Sequence, residues 1–185
     1  MTTDPNLNGV DDVPAATWAR LAKVANRLKQ AGEPDVTAEQ IKQHYIDSIR
    51  QHLETHVTDE RVTGPIGESA EPGARLGPWK FNIIDSIGVS VEASFDFTSL
   101  QDWDVTLTAY LTVAGKRLWK NTLTLSPEHS SIVLKPDIKA AKAELSISIE
   151  GDQLCLKVSG HGCYRWFGWH CSQPFQHQLF CFRSG

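Results

Sequence analysis

The chain has 185 residues, of which 41% are hydrophobic, so it can bury the core of one ordinary domain. Its net charge is -4, and eight of the 22 acidic and six of the 18 basic residues precede residue 58. Both parts are therefore mildly acidic. Without a basic stripe, nucleic acid is not expected as a partner, because such binding depends on neutralising phosphates.

The expected compartment follows from the apolar runs and from the start of the sequence. No run approaches the roughly 18 apolar residues that a spanning helix needs, so no transmembrane segment is predicted. The start, "MTTDPNLNGVDDVPAATW", lacks the basic and apolar parts of a secretion signal. This predicts a cytoplasmic protein, unless a leader was removed. In that compartment the default for all four cysteines is the reduced thiol.

Residues 1–12 are polar and predicted to be loose, and residues 13–57 show the spacing of two helices. The first apolar stripe ends before Gly32, which is a natural helix stop. The second helix is predicted to open at Thr37 to Gln40, "TAEQ", which is the pattern of a capping box. A helical hairpin of this kind must pack on something, because neither helix is stable alone. The two predicted stripes are Trp18, Leu21, Ala25 and Leu28, and Ile41, Tyr45, Ile49, Leu53 and Val57.

Residues 58–78 are rich in Gly, Pro and charge, which predicts a linker or a long surface loop. From residue 79 to residue 185 the apolar period changes to two, which indicates strands. Two equal alternating segments, residues 87–97 and 103–113, mirror each other across a polar turn. Further strands are predicted at about 117–125 and 131–135, in the segments "AELSISIE" and "QLCLKVS", and in "HQLFCF", which should be buried on both sides.

These patterns predict a mainly β fold, in which seven or eight antiparallel strands form a sandwich or barrel after an N-terminal helical hairpin. Closure is expected because an open sheet would leave long edges exposed. The hairpin is expected to cover one end or one face, as part of the same folded unit.

The segment "GHGCYRWFGWHC", residues 160–171, is predicted to form an aromatic hairpin. On a two-residue period its rings cannot all face the core, so some should reach the surface, where they could stack on a ligand. The alternative is that the rings plug the end of the fold or pack on the helices. The candidate ligand-binding residues are Tyr164, Arg165, Trp166, Phe167, Trp169 and His170.

Six histidines and cysteines in the same region form a weak candidate for zinc, but the nearest pairs, His161–Cys163 and His170–Cys171, lack the usual spacing of two to four residues between ligands. A disulfide between Cys163 and Cys171 across the hairpin is easier geometrically, and free thiols are the default. We therefore predict no metal and no cofactor. The weak metal candidates are His161, Cys163, His170, Cys171, His177 and Cys181.

The sequence favours a non-catalytic recognition module that binds a carbohydrate, a lipid head group or a hydrophobic small molecule through the aromatic hairpin. Two alternatives stay open. One is a small barrel enzyme that acts on an apolar substrate, although few acid/base groups are placed for catalysis. The other is a membrane-active protein that inserts the hairpin of residues 87–113, whose alternation resembles that of membrane strands. The oligomeric state is not predicted.

Overall fold

The computed structural model describes residue 10 and residues 12–55, 62–64, 71–84, 87–165 and 168–183, with the backbone alone for residues 51–55. Helix α1 spans Ala15–Leu28 and helix α2 spans Ala38–Thr55, which confirms the predicted helical pair. Within the described part of the chain, neither helix is long and apolar enough to cross a bilayer.

The start of α2 has the capping box that the sequence predicts. The Thr37 N–H donates to Gln40 Oε1 at 2.9 Å, and the Gln40 N–H donates to Thr37 Oγ1 at 3.2 Å. Each side chain thus satisfies a backbone donor that the first turn would leave unpaired. The apolar stripes of both helices enter the core, at Trp18, Leu21, Ala22, Ala25, Ile41, Tyr45, Ile46 and Ile49.

Nine strands follow the helices in the described residues. They are β1 (Arg75–Ile84), β2 (Ile87–Ser99), β3 (Asp102–Val113), β4 (Lys116–Leu125), β5 (Ser131–Leu134), β6 (Ala141–Glu150), β7 (Cys155–Arg165), β8 (Trp169–Cys171) and β9 (Phe175–Cys181).

The strands form two antiparallel sheets, so the fold is a sandwich rather than a single barrel. Sheet A has the order β1-β2-β3-β4. Sheet B has the order β5-β6-β7, and two short strands share the far edge of β7. Strand β9 pairs with the first half of β7, and β8 pairs with its end.

Two strand boundaries differ from the prediction. Strand β1 begins at Arg75, inside the predicted linker of residues 58–78, because Arg75 pairs with Ser94 across the sheet. The tail strand β9 is not buried on both sides, since Gln176 and Gln178 are exposed. Local composition cannot reveal where β1 begins or how exposed β9 is, because both depend on which neighbouring strand each one pairs with.

Aromatic side chains fill the space between the sheets. The Trp79 and Phe180 ring centroids lie 5.8 Å apart, and those of Phe95 and Phe182 lie 4.5 Å apart. Each pair joins sheet A to the chain at or just after β9. Aromatic pairs of this kind add about 0.5–1.5 kcal/mol beyond the area they bury. The apolar side chains of β2 and β3, which give both strands their alternation, belong to this same core.

The helical hairpin covers the end of the sandwich at which β6 begins and β7 ends. The buried Tyr45 hydroxyl lies 2.8 Å from the Ala140 carbonyl oxygen and 2.9 Å from that of Arg165. It also accepts the Arg165 N–H at 3.0 Å. Burial raises the pKa of the Tyr45 hydroxyl above its usual 10.0, because the charged form would be poorly solvated. One side chain of α2 is therefore fixed to the base of the aromatic hairpin.

Candidate functional site

Strand β7 organises the outer face of sheet B, and a disulfide lies at each end of its paired edge. Cys155 is bonded to Cys181 on β9, and Cys163 is bonded to Cys171 on β8. In both cases the two residues are direct partners across the strand pair. The short strands β8 and β9 are thus covalently held to β7, so the outer face keeps its shape where pairing alone is brief.

The disulfides replace the free thiols expected by default for this chain. Free cysteines are absent from the described residues, and all four cysteines of the sequence lie among them. The Cys163–Cys171 bond is the pairing considered from the sequence, whereas Cys155–Cys181 was not foreseen. Recognising it needs the pairing of β7 with β9, which brings together residues 26 apart in the chain.

The weak zinc candidates do not form a metal centre. Cys163, Cys171 and Cys181 are oxidised and so have no thiolate to offer. Across the described residues, no group of three or more metal-ligating side chains is brought together. The histidines are dispersed: His177 contacts the ring of Phe81 in the core, whereas His161 lies on the outer face.

The aromatic hairpin is the turn between β7 and β8, residues 163–171. Tyr164 pairs with His170, and Arg165 pairs with Trp169. Gly168 has a φ of +126°, a conformation that a residue with a side chain rarely adopts. Two of the predicted ligand-binding residues, Trp166 and Phe167, lie outside the described residues.

The described rings of the hairpin divide between core and surface, as the two-residue period requires. Tyr164 is buried, so its ring is a packing group rather than part of the surface. It stacks on His170, with 5.4 Å between ring centroids. Arg165 is half-buried, and its backbone is held by Tyr45. The sequence suggested either packing or surface exposure for these rings. The structure has both in one hairpin, since Tyr164 packs in the core and Trp169 is exposed.

Trp169 is exposed in the described hairpin, with 41% of its surface accessible, and the neighbouring His170 is exposed as well. Lys142, on the neighbouring strand β6, places its ammonium nitrogen 4.2 Å from the centroid of the Trp169 ring. A cation over an exposed indole ring stabilises the arrangement by about 0.5–1 kcal/mol. The contact orients the indole while leaving two-fifths of its area open to solvent.

Two depressions lie on the outer face of sheet B, and they meet at Glu144 and His161, which are direct cross-strand partners. Lys142, which contacts the Trp169 ring, lines the smaller one. The larger, of about 460 Å³, is lined on its polar side by Ser146, Ser159 and Gln176. The smaller, of about 200 Å³, includes Lys135, Asp137, Lys142 and Cys163. Lys135 pairs with Glu144 at 3.2 Å.

Apart from His161 and Cys163, which were weak metal candidates, the polar residues of the depressions were not among the sequence candidates. Ser146, Ser159 and Gln176 belong to the outward-facing half of an alternating strand, which by itself indicates only a solvated surface. Their grouping arises from register: Ser146 pairs with Ser159, which pairs in turn with Gln176. The result is a continuous row of hydroxyl and amide groups across three strands.

No family model matches the sequence, and neither the curated proteins nor the solved structures contain a chain that matches it. The functional argument therefore rests on the geometry of the site.

Proposed function

We propose that this protein is a non-catalytic recognition module that binds a carbohydrate on the outer face of sheet B. The observation that carries the proposal is the exposed Trp169 ring, whose neighbour Lys142 lines the smaller of two depressions that meet at Glu144 and His161. An indole ring can stack on the apolar face of a sugar. Hydroxyl, amide and carboxylate groups can hydrogen-bond the sugar hydroxyls.

Carbohydrate is favoured over the other ligands because hydroxyl, amide and charged side chains line the two depressions. A hydrophobic small molecule would leave the hydrogen-bonding groups of Ser146, Ser159 and Gln176 without partners. The smaller depression holds two lysines and two carboxylates, so it has no net positive charge to attract an anionic lipid head group. In contrast, the row of Ser146, Ser159 and Gln176 supplies neutral hydrogen-bonding groups at strand spacing. Such a row suits a neutral, hydroxyl-rich ligand that lies flat on the sheet.

The two alternative functions have less support. A membrane-active β2–β3 hairpin would have to remove Leu107 and Val105 from the core, where both are fully buried. An enzyme with its substrate between the sheets would need space there, but Trp103 is buried in that region and Phe97 and Trp119 pack against it. Recognition on the outer face requires neither change.

The two disulfides also bear on the compartment. Structural disulfides persist in oxidising compartments and are rare in the cytosol. We therefore propose that the protein works in an oxidising compartment, in place of the cytoplasmic location expected from the start of the sequence. A carbohydrate ligand fits that setting.

The test is calorimetry against a panel of neutral and acidic oligosaccharides, followed by two matched variants. Trp169→Ala should weaken the binding of any hit about tenfold, which corresponds to the loss of about 1.4 kcal/mol. Leu100→Ala is the control, because Leu100 is 40% exposed but lies in the β2–β3 turn. It should leave affinity unchanged.

Three outcomes would refute the proposal: no binding to any oligosaccharide, equal loss in both variants, or unchanged affinity in Trp169→Ala. Cosedimentation with phosphatidylcholine or phosphatidylserine vesicles, lost in Trp169→Ala, would instead assign the ring to a lipid surface. Circular dichroism of both variants should match the wild type, since neither residue is buried.

A further inference from the structure

A third depression lies on the outer face of sheet A, under the end of helix α1. This helix–sheet pocket has a volume of about 250 Å³. Its roof is the end of α1 and the loop that follows, and its floor is the outer face of sheet A. Asn26 fixes the roof, because its side chain donates to the Val36 carbonyl at 2.9 Å and accepts the Val36 N–H at 2.8 Å.

The floor is built from two neighbouring rows of outward-facing residues. In the first row Asn82 pairs with Gly88, Gly88 with Thr112, and Thr112 with Arg117. A Cβ at Gly88 would lie 2.7 Å from Thr112 Oγ1 and 3.1 Å from Asn82 Oδ1. Thr112 and Asn82 therefore close in over Gly88, and they bring a hydroxyl and an amide to the floor of the pocket.

The second row, in which Lys80 pairs with Ser90 and Ser90 with Tyr110, supplies a buried hydroxyl group without a partner. Ser90 is only 2% exposed, and it lines the pocket next to Gly88. Its Oγ has no hydrogen-bond partner in the part of the chain that the structure describes. Buried polar groups are nearly always hydrogen-bonded, so an unpaired hydroxyl that lines a cavity indicates that something in the cavity completes it.

The charge around the pocket is opposite in sign to that of the whole chain. Its lining holds four cations, Lys29, Lys80, Lys116 and Arg117, and one carboxylate, Glu33. The chain as a whole carries a net charge of -4. With the ion pairs Lys29–Asp35 and Arg117–Glu92 taken into account, Lys80 and Lys116 still outweigh Glu33, which leaves a local positive charge that attracts anions.

Some of these cations are already held in place. Arg117 lies 3.5 Å from the Glu92 carboxylate and 4.2 Å over the Tyr110 ring, so its guanidinium has a fixed orientation. Lys29 pairs with Asp35. Lys80 and Lys116, by contrast, make no ion pair with any other described residue. The pocket thus combines an oriented guanidinium with two ammonium groups available for a ligand.

We propose that the helix–sheet pocket binds a small organic phosphate, a phosphate monoester about the size of a pentose phosphate. A phosphate group offers several acceptor oxygens and carries up to two charges, which suits a guanidinium and two ammonium groups. Ser90 and Thr112 then donate to the ligand through their hydroxyls. The volume is below the 300–1,000 Å³ typical of drug-sized ligands, which favours a compact molecule.

The test is calorimetry with ribose 5-phosphate, with ribose and citrate as parallel probes, at low and moderate salt. We expect one site per chain for the phosphate, no binding of ribose, and weaker affinity at higher salt. Citrate should bind at least tenfold more weakly than the phosphate. Equal binding of citrate, or no binding of the phosphate at millimolar concentration, would overturn the proposal.

Phosphate titrations of three single-residue variants test whether binding occurs in this pocket. Lys116→Gln and Ser90→Ala should each weaken phosphate binding tenfold or more. Lys120→Gln removes a neighbouring charge on the same sheet, and it should change affinity less than twofold because Lys120 does not line the pocket. An equal loss in Lys120→Gln, or unchanged affinity in Ser90→Ala and Lys116→Gln, would show binding to be charge attraction elsewhere on the surface.

A direct readout separates this site from the proposed carbohydrate face. Amide chemical shifts in the wild type should move on phosphate addition at Gly88 and Lys116, and not at Trp169. Trp169→Ala should bind the phosphate with unchanged affinity. Shift changes confined to the aromatic hairpin would refute the pocket while leaving the carbohydrate proposal open to its own test.

Discussion

The hydroxyl of Tyr45 offers a specific test of how the helices are fixed to the sandwich. Tyr45→Phe keeps the buried ring, including its contact with Trp18 at 5.4 Å between centroids, and removes one oxygen. That oxygen contacts the Ala140 carbonyl and both backbone groups of Arg165. A buried hydrogen-bonding group left without its partner costs about 1–3 kcal/mol. We expect a loss of about 2 kcal/mol, or about 4–8 °C in Tm for a chain of this size.

The measurement is equilibrium unfolding in urea at pH 7. The control is Thr124→Val, which removes an exposed hydroxyl that lies 3.4 Å from Thr106 on sheet A. It should change the free energy of unfolding by less than about 0.5 kcal/mol. If Tyr45→Phe were as mild as this control, the hydroxyl would not be a structural link between α2 and β7.

The same pair of proteins should differ in how stability depends on alkaline pH. Folding raises the pKa of the Tyr45 hydroxyl above the ordinary 10.0. Above pH 10 the folded protein therefore keeps a proton on Tyr45 that the unfolded chain releases. Its stabilisation is therefore complete below pH 10 and is lost as pH rises further. The gap between wild type and Tyr45→Phe should narrow by about 1.4 kcal/mol at pH 11. A constant gap from pH 8 to pH 11 would contradict the burial of this hydroxyl.

Two further predictions concern backbone approach and cross-linking in sheet B. Gly160→Ala should prevent stable folding, because its Cβ would lie 1.9 Å from the Glu144 carbonyl oxygen. The control is Gly151→Ala, which has no atom within 4 Å of the new Cβ and should cost only the strain of its positive φ. Circular dichroism with thermal melting distinguishes the two variants. Replacing both cysteines of Cys155–Cys181 by serine should cost about 3.5 kcal/mol, against about 2.5 kcal/mol for Cys163–Cys171, because the chain separations are 26 and 8. Urea unfolding measures the two losses of stability, and thiol alkylation confirms that the wild type has no free cysteine. A larger loss of stability for the shorter Cys163–Cys171 loop would contradict the loop-entropy argument.

The sequence predicted those parts of the fold that depend on local pattern. The capping box at Thr37 and the alternation of β2 and β3 each follow from spacing within a short segment, and the structure has both. The start of β1 at Arg75 was missed, because a segment rich in Gly and Pro becomes a strand only through its pairing with β2. Tertiary pairing there overrides local composition.

The candidate site was predicted only in part, for a related reason. The residues between Cys163 and Cys171 were candidates because so many of them are aromatic. Residue type alone, however, does not show that Tyr164 is buried while Trp169 is exposed. Most of the polar residues that line the two depressions are ordinary outward-facing residues in the sequence. Their convergence at Glu144 and His161 requires the register of β6 with β7, which no local pattern determines.

The two proposed sites lie on opposite outer faces of one sandwich, with a packed core between them. Tyr45 connects their surroundings: it belongs to the helical hairpin that roofs the pocket, and it holds the backbone of Arg165 at the base of the aromatic hairpin. A ligand that shifted the helices would therefore act on the hairpin through this contact. Because Tyr45→Phe breaks the contact while keeping the ring, it is the variant in which any coupling between the two sites should disappear.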